Sequence, residues 1–421
     1  MYKKETLKNG LTLLKVPIPS AQSVLVDIFV KVGSRSEDKR INGISHFLEH
    51  LFFKGSRLYP TAQKLSHALD AIGAEYNANT GKEHTQYYIK AAKKHLKFIF
   101  EVLSDMLQRP IFAAEEIERE KGVIIEEINM YEDTPMRHVE DVLEEVMWPR
   151  HPLGRNIAGT RDVIRKISRQ DILDYVGTYY KPKNLIIAVT GSYDEKLLDK
   201  MIRQYWNALA DGNFPKWERA KYVQKKSAVR VEPKKTEQYH LALGFRSYDH
   251  NHPKDIPQMI LATILGGGMS SRLFTEIRER QGWAYYVRAT PCSYQDTGNF
   301  VIQAGVRVDK LQDVVRTLVR ELRKIKDEPI PARELKKAKE YLKGTLTLSL
   351  EAHEAKLGWY LEQVAFRKEI LEPAVLMKRI DAVTAAGVKK VARDIFQNKK
   401  LNLSVIGPKF PEAKLRRLLL L

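Results

Sequence analysis

The chain has 421 residues, of which 43% are hydrophobic and 29% charged, and its formal net charge is +19 at pH 7. This balance is typical of a globular chain rather than a disordered one, and the length allows two to four domains. No apolar run reaches the roughly 18 residues of a membrane span, and the basic first stretch lacks the apolar core and cleavage site of a secretion signal. We therefore expect no membrane partner.

Cysteine content and charge distribution indicate the compartment of the protein and the class of partner it binds. Cys292 is the single cysteine, which excludes an intrachain disulfide and a cysteine cluster that binds metal. We expect a reducing compartment and predict a cytoplasmic protein. The positive charge would suit a polyanion, but lysine and arginine are spread along the chain beside glutamate, as in ARELKKAKEYLKG (332–344). A solvated basic surface is the preferred interpretation, and no nucleic-acid partner is predicted.

The first half of the chain predicts strands followed by helices. In SVLVDIFVKVG (23–33) the residues Val24, Val26, Ile28 and Val30 share one face of a strand, because side chains alternate between the two faces. The other predicted elements are the strand LTLLKVPI, a helix within 43–55, helices over 61–73, 94–108 and 113–133, a hairpin over 76–91 that turns near Gly81, and a strand over 184–191.

The same order of elements returns in the second half. The predicted elements are a strand over 237–247, a helix pair around 255–280, strands within 285–306, helices over 310–325 and 330–346, and a strand over 401–408. We predict an α+β fold with two homologous α/β domains, each a mainly antiparallel sheet with helices packed on one face. The domains span 1–210 and 229–421, and the polar segment 211–228, which contains Gly and Pro, is the linker.

The segment GISHFLEHLFFKG (43–55) places two histidines and a glutamate within five positions. On a helix, His46 and His50 project from one face with Glu49 beside them. Two imidazoles one turn apart can share a zinc ion, and zinc with three protein ligands leaves a position for water. A neighbouring carboxylate can take a proton from that water, which is the logic of the inverted zinc motif H-x-x-E-H. The alternative, two incidental histidines, is weakened by the apolar helix around them.

A third ligand is required, and the helix 113–133 offers several candidates. Glu120 and Glu127 are seven positions apart and therefore lie nearly on one stripe of the helix. The remaining glutamates that this helix offers include Glu116, Glu118 and Glu126. Physical reasoning on the sequence leaves the choice among them open.

With these motifs in place, the chain resembles the pitrilysin or insulinase family of zinc metallopeptidases, in its short two-domain branch with the mitochondrial processing peptidase and bacterial relatives. The resemblance covers essentially the whole chain. Its motifs are NGLTLL, GISHFLEHLFFKG, AEYNANTGKEHTQYY, the glutamate-rich helix, HPLGRNIAGT (151–160) and GGGMSSRLFTEIRERQGWAYYV (266–287).

The resemblance implies a role for each residue of the metal site. His46, His50 and Glu127, which lies 77 positions after His50, are the implied ligands of one Zn²⁺ per chain. Glu49 is the implied general base. Glu120 is implied to support the site, and it could accept a hydrogen bond from a ligating imidazole.

Further residues are implied to contact the substrate. Arg278 and Tyr285 match the arginine and tyrosine that reach toward the substrate and the reacting carbonyl, where such donors would stabilise negative charge on oxygen. Asn77, Ala78 and Asn79 match the sheet edge that receives the peptide as an added strand.

The implied activity is zinc-dependent endopeptidase cleavage of unfolded peptides or small proteins held in a chamber between subunits. A half-length chain would work as a homodimer or heterodimer, with Arg278 and Tyr285 supplied by the partner. The second half has Ala338 and Thr345 where the first has Glu120 and Glu127, so only the first half would bind metal. The alternatives are a catalytically silent scaffold or substrate-binding subunit, which would normally lose the motif, and a nucleic-acid-binding protein suggested by charge alone.

Overall fold

A computed structural model describes residues 2–221 and 224–421, so that Tyr222 and Val223 of the predicted linker lie outside the described residues. The chain forms two compact units, and neither is continuous in sequence. The first unit comprises residues 1–129, 155–218 and 349–365, and the second comprises 130–154, 219–348 and 366–421. The predicted domains 1–210 and 229–421 assign each half of the chain to one domain. In the structure, residues 130–154 belong to the second unit and residues 349–365 belong to the first.

The first unit is built on a six-stranded sheet with the order β1-β2-β6-β3-β5-β4. Its strands are β1 (Lys3–Thr6), β2 (Thr12–Pro17), β3 (Ser23–Val30), β4 (Glu75–Thr80), β5 (Thr85–Ala92) and β6 (Leu185–Gly191). Neighbouring strands are antiparallel except β2 and β6, which are parallel. The sheet is therefore mainly antiparallel, and it ends at β4.

In sequence, helices separate the later strands of this sheet and also follow its last strand. The helices of the first half are α1 (Ile44–Leu51), α2 (Ala62–Asp70), α3 (Leu96–Gln108), α4 (Ala114–Glu132), α5 (Pro135–Met147), α6 (Arg161–Lys166), α7 (Arg169–Tyr179) and α8 (Glu195–Trp206). The core of the first unit joins the β3 face of Val24, Val26, Ile28 and Val30 to the apolar sides of α1, α3 and α4. Helices α5 to α8 were not predicted from the sequence.

The second unit repeats this plan with a five-stranded sheet in the order β7-β11-β8-β10-β9. Its strands are β7 (Ala228–Pro233), β8 (Gln238–Ser247), β9 (Ala284–Ser293), β10 (Gly298–Arg307) and β11 (Leu401–Gly407). Only β7 and β11 are parallel neighbours. The helices of the second half are α9 (Asp255–Gly266), α10 (Leu311–Asp327), α11 (Ala332–Ser349), α12 (His353–Phe366), α13 (Pro373–Ala382), α14 (Ala385–Ile395) and α15 (Glu412–Leu418).

The exchanged segments explain why each unit draws on both halves of the chain. Helix α5 belongs to the second unit, where Leu143 and Met147 pack with Ala242 and Ile406 in one apolar cluster. The approach is close at Gly244, because a side chain there would meet the sulfur of Met147 at 2.6 Å. Most of α12 belongs to the first unit.

The contacts of α12 show where it joins the first unit. Glu354 of α12 forms an ion pair of 2.7 Å with Lys90 of β5, and the ring of Tyr360 lies 4.8 Å from that of Tyr2. Lys90 projects from the side of β5 opposite Ile89, which belongs to the core cluster. Helix α12 therefore contributes to the second face of the sheet.

The predicted fold class is confirmed, since two homologous units each combine a mainly antiparallel sheet with packed helices. Strands β1 and β7 and helices α12 to α14 were not predicted. Among the described residues, no helix is both long enough and apolar enough to cross a bilayer.

Candidate metal centre

Helix α1 carries the histidines, and a buried carboxylate fixes where it begins. Glu37 accepts hydrogen bonds from the backbone N–H groups of Gly43 (2.7 Å) and Ser45 (2.8 Å) and from the side chain of Asn42 (2.8 Å). These bonds satisfy donors that the first turn of a helix leaves free. Gly43 has φ +102°, and a side chain at this position would meet the carbonyl oxygen of Ala158 at 2.6 Å. Glycine is therefore required at the start of the motif.

The apolar residues of the motif point the other way and anchor the helix. Phe47, Leu48 and Leu51 are at most 1% exposed, and all three belong to the core of the first unit. This burial turns His46 and His50 toward α4, since residues three and four apart share a face. The ring centroids of the two histidines are 4.9 Å apart.

The structure brings the three implied ligands together. Oε2 of Glu127 lies 3.5 Å from Nε2 of His46 and 3.4 Å from Nε2 of His50. One ligand atom from each of the three side chains lies within 4.8 Å of the other two. Among the described residues, no other group of His, Cys, Asp or Glu side chains meets this criterion.

Glu120 contacts Nδ1 of His50, the ring nitrogen that does not face Glu127. Its Oε2 lies 3.2 Å from Nδ1 of His50, and its Oε1 forms an ion pair of 2.7 Å with Nζ of Lys54. Burial would raise the pKa of Glu120, but His50 and Lys54 outweigh that effect and hold the pKa below its usual value. An imidazole that donates from Nδ1 to this carboxylate has Nε2 free for a metal ion.

The pKa of His50 depends on the neighbouring carboxylates. Burial lowers its pKa, but the hydrogen bonds and charges of Glu120 and Glu127 prevail and raise the pKa to about 9. The acidic surroundings therefore favour a positive charge at this position.

The donor set fits zinc. Two imidazole nitrogens and one carboxylate form one of the usual three-ligand sets of catalytic zinc, which leaves a position open for water. The carboxylate of Glu127 faces both Nε2 atoms and Glu120 holds Nδ1 of His50, as a metal-bound imidazole requires. His46, His50 and Glu127 are thus the residues that would hold the ion.

Glu49 lies on the same helix between the two histidines and is half-buried. Its Oε2 accepts a hydrogen bond of 2.5 Å from the hydroxyl of Thr80, the last residue of β4. Sequence reasoning missed Thr80, Lys54 and Glu37. Lys54 follows His50 by four positions within the motif itself, which was a usable signal, whereas the contacts of Thr80 and Glu37 depend on the fold.

The implied substrate edge lies on the same strand as Thr80. Asn77, Ala78 and Asn79 belong to β4, the terminal strand of the sheet. Asn77 and Asn79 are exposed and Ala78 is buried. The side chain of Asn77 accepts a hydrogen bond of 2.9 Å from the backbone N–H of Ala78. Among the described residues, no strand pairs with the outer edge of β4, as strand addition requires.

Arg278 and Tyr285 lie together in the second unit. Arg278 belongs to the π-helical segment Phe274–Glu279, and its guanidinium lies 5.5 Å from the ring centre of Tyr285 on β9. Tyr285 is 73% exposed. The adjacent Tyr286 projects the other way, and its hydroxyl lies 3.2 Å from Nδ1 of His240. The exposed Tyr285 and the half-buried Arg278 therefore lie side by side in this unit.

Two other histidines have neighbours that indicate a structural role. His84 stacks on Phe29 with ring centroids 4.9 Å apart, and burial lowers its pKa to about 4. His138 pairs with Glu232 at 3.1 Å. Neither belongs to the three-ligand group.

Comparison with known proteins finds peptidase-family models that match both halves of the chain. Residues 14–161 match the family model described as insulinase (peptidase family M16), and residues 166–342 match the one described as peptidase M16 inactive domain. An uncharacterized zinc protease of Bacillus subtilis, YmxG, is 34% identical over 97% of this chain and 98% of its own length. An uncharacterized zinc protease of Streptomyces coelicolor is also 34% identical, over 96% of this chain and 89% of its own length.

Solved structures share the fold. The crystal structure of a protease from Helicobacter pylori matches with a TM-score of 0.90 at 24% identity, covering 97% of this chain and all of that one. A peptidase M16 inactive domain from Pseudomonas fluorescens matches with a TM-score of 0.88 at 18% identity, covering 98% and 99%. Whole-length relatives above 30% identity and both family models lead to one conclusion: the chain belongs to the insulinase family of peptidases, M16, in its short two-domain form.

Proposed function

We propose that this chain is a zinc-dependent endopeptidase that cleaves unfolded peptides or small proteins. The observation that carries the proposal is the convergence of His46, His50 and Glu127 on one point, with Glu49 on the same helix. Relatives of this chain are named as uncharacterized zinc proteases, which supports the same class of reaction.

The residues of the chain have separate tasks in the proposed reaction. Zinc, when bound, would act as a Lewis acid that polarises water and the peptide carbonyl. Glu49 takes the proton from the attacking water and passes it to the nitrogen of the departing amine. Glu120 and Lys54 hold His50 in the tautomer that has Nε2 available.

The substrate would bind to the free edge of β4. Backbone hydrogen bonds along the segment 77–79, where alternate residues direct their N–H and C=O groups outward, give affinity without a strong demand on sequence, which suits unfolded chains. A peptide would compete with the side chain of Asn77 for the N–H of Ala78.

The proposed site is completed by a second chain, as a homodimer or a heterodimer. Arg278 and Tyr285 of that chain would donate hydrogen bonds to the oxygen that gains negative charge. Mixing Glu49→Gln protein with Arg278→Ala protein tests this idea, because one intact site can form only if chains share residues. Activity in the mixture supports sites shared between copies of this chain, and two inert proteins that stay inert when mixed contradict shared sites in a homodimer.

The central experiment measures zinc content and cleavage together. Purified protein should bind one zinc per chain and cleave a disordered fluorogenic peptide, while Glu49→Gln should keep zinc and lose cleavage. The matched control is Glu118→Gln, since Glu118 on α4 is 70% exposed and pairs with Lys121. A wild type that binds zinc but cleaves nothing would favour the alternative, a silent partner subunit.

A further inference from the structure

Thr80 contacts Glu49, the proposed general base, through a single hydrogen bond. The hydroxyl of Thr80 lies 2.5 Å from Oε2 of Glu49. The hydroxyl of Thr80 donates this bond to the carboxylate oxygen of Glu49. This distance is at the short end of the range for O–H···O hydrogen bonds.

The bond has a geometric consequence for the carboxylate. It engages Oε2 and restricts rotation of the carboxylate about its Cγ–Cδ bond. Thr80 itself is firmly held, because it pairs with Thr85 in the β4–β5 ladder and is 9% exposed. Its hydroxyl is therefore carried by a paired, buried position of the sheet.

Thr80 also joins the base to the sheet edge. It is the residue that follows Asn79 and ends β4, the terminal strand of the sheet. We propose that Thr80 is a positioning residue that orients Glu49 and ties it to the strand on which the substrate lies. This inference rests on the proposed peptidase function.

The substitution Thr80→Val tests the role of the hydroxyl. Valine keeps the branched shape and the backbone, and removes only the donor. We expect kcat to fall about 10- to 100-fold with KM nearly unchanged, which is the usual effect of losing one hydrogen bond to a charged group. Zinc content should stay at the wild-type level, and Thr80→Ser, which keeps the hydroxyl, should retain kcat within about threefold.

The hairpin offers a matched control for stability. The hydroxyl of Thr85, directly opposite Thr80, is buried and donates to the carbonyl of Val32 at 3.0 Å, away from Glu49. Thr85→Val should lower the unfolding temperature at least as much as Thr80→Val and leave kcat unchanged. Equal losses of kcat in both variants would show that hairpin stability, not orientation, is responsible.

A structural readout is independent of turnover. Crystal structures of the metal-free wild type and Thr80→Val should show the Glu49 carboxylate bonded to Thr80 in the first and rotated in the second. If wild type is active and Thr80→Val has the same kcat, the role of Thr80 is refuted alone. If zinc-loaded wild type cleaves no peptide, the proposed function is refuted and the role of Thr80 falls with it.

Discussion

Asp27 is a buried carboxyl group in the middle of β3, and its substitution should change how stability depends on pH. The side chain is 6% exposed, and Oδ1 has no hydrogen-bond partner among the described residues. Burial alone raises the pKa of Asp27 to about 8, because the charged form loses its hydration. We predict that Asp27→Asn stabilises the protein at alkaline pH.

The sign and size follow from proton linkage. The folded protein keeps the Asp27 proton up to a pH of about 8, whereas the unfolded chain releases it near pH 3.8. Unfolding therefore releases a proton between these values, and the free energy of unfolding falls as the pH rises, by up to about 1.4 kcal/mol per pH unit. The contribution is complete below pH 4 and lost above pH 8, a total of several kcal/mol as an upper limit.

Urea unfolding of metal-free protein at pH 5, 6, 7, 8 and 9 would measure this effect without a contribution from metal binding. The stability of Asp27→Asn relative to wild type should increase with pH until about pH 8 and then level off. Asp70→Asn is the control, because Asp70 is exposed at the end of α2. Parallel pH curves for wild type and Asp27→Asn would refute the reasoning.

Three further predictions concern the metal centre and its helices. Glu120→Gln should weaken zinc binding about 10- to 100-fold in a chelator competition, while Glu118→Gln should not; equal affinities would contradict the support of His50. Lys54→Met should weaken zinc in the same assay and Lys54→Arg should retain it, and a wild-type affinity in Lys54→Met would show that the ion pair with Glu120 is dispensable. Gly43→Ala should cost about 2 kcal/mol or more of unfolding free energy because φ is positive, whereas Gly122→Ala, with open space around it in α4, should gain up to about 1 kcal/mol; similar values would refute the argument.

Local patterns predicted much of the fold. The alternation in β3, the turn near Gly81 and the apolar periods of α3 and α10 each depend on neighbouring residues, and the structure has these elements within a few positions of their predicted bounds. The exchange of α5 and α12 could not be predicted this way. Both helices have ordinary helical sequences, and their places are set by surfaces such as Gly244 that lie far away in the chain.

In the candidate site, too, some residues follow from local sequence patterns and others depend on the fold. His46, Glu49 and His50 follow from helical spacing within five positions, so the sequence alone brings them together. The choice of Glu127 among the glutamates of α4 required the family resemblance, because only the packing of α4 against α1 turns one carboxylate toward both imidazoles. Thr80 could not be predicted from the sequence for a similar reason, since its hydroxyl meets Glu49 through the packing of β4 on α1.

The two homologous helices show why a chain of this kind would hold one metal ion. Glu120 on α4 and Ala338 on α11 occupy matching positions, and each is 2% exposed. A carboxylate at such a position is costly unless cations pair with it, and in the first unit His50 and Lys54 do so. The second half has no histidine pair in its first helix, and alanine at 338 fills the buried position without charge. The metal site and its buried acid therefore depend on each other, and the loss of one removes the physical reason for the other.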